Sequence, residues 1–190
     1  MAFGHSFGGY FCLMTKKHIA VFDVDGTLLD GNSLLLAARN SIQGGQKIFA
    51  WFCLLPWYIG FQLKLVSASR LKEVFLRLFR ICRFINHARE RLLLDDLISH
   101  LRPEALDRLR WHQRQGHKVV LCSASPRILL QSLANWLGVD LGCTELIGMP
   151  GAWQPKLIGT NCKGEEKVRR LINHLGPLEN LFIEAYGDSR

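Results

Sequence analysis

The sequence contains no C-x-x-C pair. Its six cysteines, Cys12, Cys53, Cys82, Cys122, Cys143 and Cys162, are scattered along 190 residues. That spacing excludes a zinc ribbon and argues against a disulfide framework; reduced, buried thiols of a cytoplasmic protein are expected. The seven histidines form no ligand pattern either. His112 and His117 flank Gly116 and are expected on either side of a helix end rather than on a metal. No secretory signal is present, because residues 1–13 lack a basic segment and a cleavage site. They read as an extension outside the fold. Long membrane spans are lacking too. The most apolar run, IFAWFCLLPWYIGF at 48–61, has 14 residues and would cover about 21 Å as a helix, against roughly 30 Å of hydrocarbon.

What is present is a basic, apolar chain. Hydrophobic residues make up 48%, the formal charge is +8 and the mean hydropathy is +0.09. A core is easily filled, and the charge suits nucleic acid, an anionic membrane surface or a phosphorylated substrate. No nucleic-acid partner is expected, since the arginines gather in one segment without a binding motif. GHSFGG at residues 4–9 spells the G-x-S-x-G pattern of a hydrolase elbow around Ser6. That elbow needs a strand before it and an acid and a histidine after it. Three residues precede Gly4 and no partners stand out, so Ser6 is not taken as a nucleophile.

HIAVFDV (18–24) reads as a buried strand. EALDRLRWHQRQ (104–115) reads as a helix with Pro103 at its start and Gly116 as its stop. HKVVLCS (117–123) is the next strand. Ser125-Pro126 reads as an N-cap and N1 pair opening a helix that runs to Gly138. CTELIGM (143–149) is a weaker strand, leading into a hairpin-like region at 148–161. GEEKVRRLINHL (164–175) is a helix with acids in its first turn, and NLFIEAY (180–186) is the last strand. Alternating strands and helices predict an α/β, Rossmann-like, doubly wound parallel sheet, whose ligands bind at the carboxyl ends of the strands. The expected core is residues 14–30 with 103–190. Residues 31–102 break the rhythm and are expected to form an inserted, mainly helical cap.

Three strand ends carry polar residues: Asp23 with Asp25, Ser123, and Asp188. Alternate residues of a strand share a face, so Asp23 and Asp25 project together. Two adjoining carboxylates are costly without a cation between them or a proton on one, which favours a site over a simple Asp-Gly turn. VFDVDGT, VVLCS, NCKGEEKVRRL and the strand before Gly187-Asp188 occur in that order, and together they resemble the motifs of the haloacid dehalogenase-like (HAD) phosphohydrolases with helical caps. The resemblance covers residues 18–30 and roughly 104–190. It implies Asp23 as nucleophile and Asp25 as acid and base, with Ser123, the Ala124 N–H and Lys167 holding phosphate. Lys163 is the alternative to Lys167. It further implies Mg²⁺ held by Asp23, Asp25 through its carbonyl, and Asp188. The second late acid of that pattern is absent before Arg190, so the C-terminus is expected to be truncated and the metal set incomplete.

The insertion bears on the substrate. Residues 48–66 are interrupted by Pro56 and Gly60 and read either as a membrane-contacting segment or as a buried helix pair broken at Leu55-Pro56. Residues 70–85 place Leu71, Val74, Phe75, Leu78, Cys82 and Ile85 on one helical face, opposite Arg70, Glu73, Arg77 and Arg80. Such a basic amphipathic helix suits an interface. Members resembling the phosphatidylglycerophosphatase C type share this apolar segment. A lipid phosphate is therefore the leading expected substrate, with the protein held peripherally or integrally at the inner face of a membrane. A soluble phosphoserine-like monoester is the alternative substrate. A non-catalytic membrane-associated module is the alternative outside enzymes.

Overall fold

A computed structural model describes residues 17–84, 87–147, 155–159, 161–162, 164–176 and 181–188. GHSFGG, Lys163, and residues 148–154 and 160 of the region read as hairpin-like lie outside the described residues. The strands are β1 (Lys17–Phe22), β2 (Lys118–Pro126), β3 (Asp140–Ile147), β4 (Lys156–Ile158) and β5 (Leu181–Tyr186). They form one sheet in the order β4-β3-β2-β1-β5. β1 pairs parallel with both β2 and β5, with Phe22 opposite Leu121 on one side and Tyr186 on the other. β3 runs parallel to β2, and β4 returns antiparallel along β3.

The two faces of the sheet explain the apolar strand runs. Ala20, Phe22, Val119 and Leu121 point into the larger core, whereas Ile19, Val21, Val120 and Cys122 point into a smaller one. This alternation is the period of two that a strand imposes. With both faces covered, a parallel strand has no solvent side on which to place polar residues. The larger core receives α6 (Pro103–Arg114) through Leu109, and α7 (Arg127–Leu137) through Leu129, Leu130 and Leu133. The smaller one receives α8 (Glu165–Leu175) through Leu171 and Leu175. Gly138 closes α7 in the left-handed conformation, its N–H bonding back to Ala134 and Asn135, as an αL stop requires.

Five helices intervene between β1 and α6: α1 (Ser33–Ser41), α2 (Gly45–Gln62), α3 (Ala68–Leu78), α4 (Ile81–Phe84) and α5 (His87–Ser99). The chain leaves and rejoins the sheet at one place. Asp30 N–H donates to His100 O, Arg102 N–H donates to Leu28 O, and the Arg102 side chain pairs with Asp30.

Two sequence expectations are corrected here. α2 is continuous through Pro56 instead of breaking at Leu55-Pro56. A mid-helix proline is normally costly. Ala50, Leu54 and Trp57 pack on the core from both sides of it, and this packing prevails. The helix read over 70–85 is two helices, parted at Arg80, whose φ is +52°.

α2 is not buried. Ile48 (74% exposed), Phe49, Phe52 (75%), Leu55, Tyr58 and Ile59 all face outward, followed by Leu63 and Leu65 (80%). Its other side rests on α3, where Trp51 meets Phe75 and Phe79 edge-on at 5.9 and 4.9 Å. Among the described residues, no helix is long and apolar enough to cross a membrane.

The described cysteines are free thiols, and Cys82, Cys122, Cys143 and Cys162 are buried. Burial pushes Cys82 up to about 11 and Cys143 up to about 12. His112 and His117 meet as expected beside the end of α6, with their Nδ1 atoms 2.9 Å apart, and His112 Nε2 lies 2.9 Å from the Tyr186 hydroxyl. His112 is 1% exposed. Burial lowers its pKa; Glu184 opposes the shift, and Arg108, His117 and His18 add to it.

A histidine held neutral in the fold but free to protonate when unfolded lends stability above its unfolded pKa, near 6.5, and loses it below. Urea unfolding should therefore show stability falling as pH drops from 7.5 to 5.5. His112→Asn should flatten that slope, and an unchanged slope would mean that His112 is not the group responsible.

Candidate active site

Three neighbouring parallel strands end together, and their tips carry the polar residues. Asp23 follows Phe22 of β1, and its N–H donates to Tyr186 O at 2.8 Å. Ser123 lies within β2. Gly187 and Asp188 follow β5. The chain after β1 folds into a tight loop in which Leu28 N–H reaches Asp23 O, Leu29 N–H reaches Val24 O, and Gly26 N–H reaches Gly31 O. Gly26 has φ +80°, and a Cβ there would stand 2.6 Å from Asp188 Oδ2. Glycine is favoured here by its backbone conformation, and the Asp188 carboxylate rests in the space a side chain would take.

Asp23 receives two partners. Its Oδ1 accepts the Val24 N–H at 2.8 Å. Its Oδ2 lies 2.7 Å from Lys167 Nζ, with both side chains largely enclosed. Lys167 is carried in the first turn of α8, which Gly164 opens with φ +58°. The cation that two adjoining carboxylates require is therefore supplied by an element 144 positions further along the chain.

Asp25 lies in the loop after β1, which ends at Phe22, rather than sharing a strand face with Asp23, and it takes a different set of partners. Its Oδ1 accepts the Ser33 N–H at 2.6 Å, and its Oδ2 accepts Ser125 Oγ at 2.6 Å and Ser123 Oγ at 3.3 Å. Ser123 Oγ accepts the Ser125 N–H at 2.9 Å. The structure thus gathers Asp23, Asp25, Ser123, Ala124, Lys167 and Asp188 at one end of the sheet.

Ser125 is a correction. It was expected to cap α7, but it sits in β2; Pro126 occupies the N-cap position without a side-chain cap bond. Ser125 follows Ser123 by two and so shares its face of the strand, a signal that the cap reading obscured.

Further residues escaped the sequence reading altogether. Lys72 of α3 donates to Ala124 O and to Asn161 Oδ1, each at 2.6 Å. Thr144 Oγ1 donates to Ala124 O at 2.7 Å and accepts the Cys162 N–H at 3.1 Å. These bonds hold the Ala124–Ser125 peptide from the side of the inserted helices and from β3. Nothing local marks Lys72, which lies 52 residues from the group it meets.

Among the described residues, no group of three His, Cys, Asp or Glu side chains is placed to hold a metal ion. The expected set draws on two carboxylates and one main-chain carbonyl, which such a cluster would not include. Gly187 lies against Asp23, its would-be Cβ 3.9 Å from Asp23 Cβ, and Asp188 lies against Gly26. The donor set is entirely oxygen, and it fits a hard divalent cation.

Residues 20–190 match the haloacid dehalogenase-like hydrolase family. The chain belongs to that family. Protein CicA of Caulobacter vibrioides is 38% identical over 93 residues, spanning 48% of this chain and 41% of that protein. A protein of unknown function from Bordetella pertussis Tohama I has the same fold, with a TM-score of 0.67 and 21% identity, over 85% of this chain and 77% of that one. A substrate-bound phosphoserine phosphatase shares the fold at TM-score 0.58 and 15% identity, over 90% and 78%. A phosphoserine phosphohydrolase-like protein from Francisella tularensis does so at 0.58 and 16%, over 89% and 76%. In this HAD hydrolase the strand order and the ends of β1, β2 and β5 define where chemistry is possible.

Gly26→Ala places a side chain at positive φ, which costs about 1–2 kcal/mol, and drives it against Asp188. The carboxylate is the far end of a side chain and can swing aside. Urea unfolding should therefore show Gly26→Ala and Gly116→Ala (φ +73°, open space) losing stability to within about 0.5 kcal/mol of each other. A much larger loss at Gly26 would mean that Asp188 is fixed in place.

Proposed function

We propose that this chain is a Mg²⁺-dependent phosphomonoester hydrolase that works through an aspartyl-phosphate on Asp23 and acts on a lipid phosphate. The observation that carries the chemistry is the contact between Lys167 and Asp23, with Ser123 and Asp25 on the adjoining strand tip and loop. A carboxylate is anionic at neutral pH and attacks phosphorus without a base to activate it. Lys167 offsets the charge that collects where Asp23 and a phosphate dianion meet. Ser123 Oγ and the Ala124 N–H bind phosphate oxygens, near the start of α7.

In the first step an Asp23 oxygen bonds to phosphorus, the bond from phosphorus to the leaving oxygen breaks, and Asp25 delivers a proton to that oxygen. In the second, Asp25 takes a proton from water as its oxygen bonds to phosphorus; the acyl phosphate breaks, releasing inorganic phosphate and restoring Asp23. Mg²⁺, held by Asp23, Asp188 and the Asp25 carbonyl, would neutralise phosphoryl charge.

The lipid substrate is supported by α2. A row of apolar side chains from Ile48 to Leu65 stands in solvent, and contiguous exposed apolar surface marks interaction sites. No Asp or Glu occurs from residue 31 to 72, a stretch that holds Arg39, Lys47, Lys64, Arg70 and Lys72. A groove of about 610 Å³ beside α2 is lined by Phe49, Ala50 and Leu78, with Arg77 and Arg80 among its lining residues. An apolar face among cations suits an anionic bilayer, on which the protein lies without spanning. The inserted helices act as a cap that rests on the lipid and admits a headgroup to Asp23.

Two assays test this reading. Mg²⁺-dependent hydrolysis of p-nitrophenyl phosphate should fall to background in Asp23→Asn; retained turnover would dismiss Asp23 as nucleophile. The protein should cosediment with phosphatidylglycerol vesicles, and the exposed pair of changes Phe52→Glu and Leu55→Glu should abolish this while leaving p-nitrophenyl phosphate turnover within about twofold. Equal sedimentation of wild type with and without vesicles would favour a soluble substrate.

A further inference from the structure

Asp25 stands at the end of a line of hydroxyls. Ser33 Oγ donates to Ser125 Oγ at 2.8 Å, and Ser125 Oγ donates to Asp25 Oδ2 at 2.6 Å. Ser33 also gives its own N–H to Asp25 Oδ1 at 2.6 Å. Ser33 is 0% and Ser125 4% exposed. The two serines come from opposite sides. Ser33 is the first residue of α1, where the inserted helices begin, and Ser125 belongs to β2 of the sheet.

Buried hydroxyls must find acceptors somewhere, and satisfaction alone would be met by any carbonyl nearby. Here both serines converge on one carboxylate, and both of its oxygens are held. The Ser33 N–H is one of the donors that a helix start leaves without an intrahelical partner. Asn32 caps α1 by accepting from Leu34 and Leu35, so its side chain does not serve the Ser33 N–H. Hydrogen bonds are directional, and two arriving from different sides restrict rotation of the carboxyl group. Among the described residues Asp23 has no equivalent; its partners there are the next main-chain N–H and Lys167. The two carboxylates of the D-x-D pair are thus supported by different elements.

We infer that Ser33 and Ser125 are positioning residues that set the orientation of Asp25 for proton delivery to the leaving oxygen. This rests on the hydrolase reading above, with Asp25 as acid and base. Because Ser33 comes from the inserted helices and Ser125 from the sheet, the orientation of Asp25 depends on the two parts being docked. The role predicts a dependence on the leaving group. Protonation matters most when the departing oxygen is strongly basic and least when it leaves readily as an anion.

The test compares phenyl phosphate, with the more basic leaving oxygen, and p-nitrophenyl phosphate, in Mg²⁺, using the full chain with Ser125→Ala, Ser33→Ala, the double variant and Asp23→Asn. In Ser125→Ala, kcat on phenyl phosphate should fall about tenfold further than on p-nitrophenyl phosphate, with both KM values within about twofold of wild type. Ser33→Ala keeps the main-chain N–H bond to Asp25 Oδ1 and removes only the hydroxyl that orients Ser125 Oγ; it should show the same selectivity at smaller size, and the double variant should be no slower than Ser125→Ala alone, because the Ser33 hydroxyl acts through Ser125. If circular dichroism shows that Ser125→Ala does not fold, Ser33→Ala carries the same comparison. Equal losses on the two substrates, or losses that multiply in the double variant, would overturn the inference and leave the serines as ordinary buried polar groups. Asp23→Asn separates the two levels: an inactive Asp23→Asn beside unselective serine variants refutes this inference alone, whereas an active Asp23→Asn refutes the hydrolase reading itself.

Discussion

A carboxylate at the tip of a buried strand needs a positive charge within reach, and Lys167 meets Asp23 at 2.7 Å. The rest of the arrangement follows from keeping that pair together. β1 must lie between β2 and β5, so that their tips flank it. α8 must pack on the smaller core through Leu171 and Leu175, which brings its first turn to the strand ends. Gly26 takes the positive φ of the loop after β1 and leaves room for the Asp188 carboxylate.

The inserted helices reach the site through a few polar contacts. Lys72 meets Ala124 O and Asn161, Ser33 meets Asp25 and Ser125, and Glu73 accepts the Leu157 N–H. Each contact joins a helix of the insertion to a loop or strand of the core. Hydrogen bonds of this kind are directional and weak enough to remake, unlike the apolar packing that holds α2 to α3. The same insertion therefore presents exposed apolar side chains outward and polar ones towards the strand tips.

Much of the fold was legible in the chain. The runs at 18–24, 117–123 and 180–186 became β1, β2 and β5, because a strand buried on both faces must be apolar at nearly every position. The helix read over 104–115 and the Gly138 stop also stand, since proline and glycine act locally. The helix boundary at Arg80 was misread, and of the two readings of residues 48–66 the buried pair broken at Leu55-Pro56 does not hold, because packing of Ala50 and Leu54 keeps α2 continuous. Ser125 was misread for a related reason. Serine before proline fits a helix cap equally well on paper, and a carboxylate a hundred residues away decides which acceptor it takes.

By itself the sequence determined that strands alternate with helices, that Asp23 and Asp25 follow the first strand closely, and that an apolar, basic segment interrupts the pattern. Those properties depend on periodicity and on neighbours within a few residues. Tertiary structure alone decided that Lys167 pairs with Asp23, that Ser33 and Ser125 hold Asp25, that Lys72 touches the Ala124 loop, and that the apolar row of α2 faces outward. Each of these is a contact between groups tens of residues apart or more, or an exposure set by how helices pack. Strand order and helix docking settle such matters, and no local pattern encodes them.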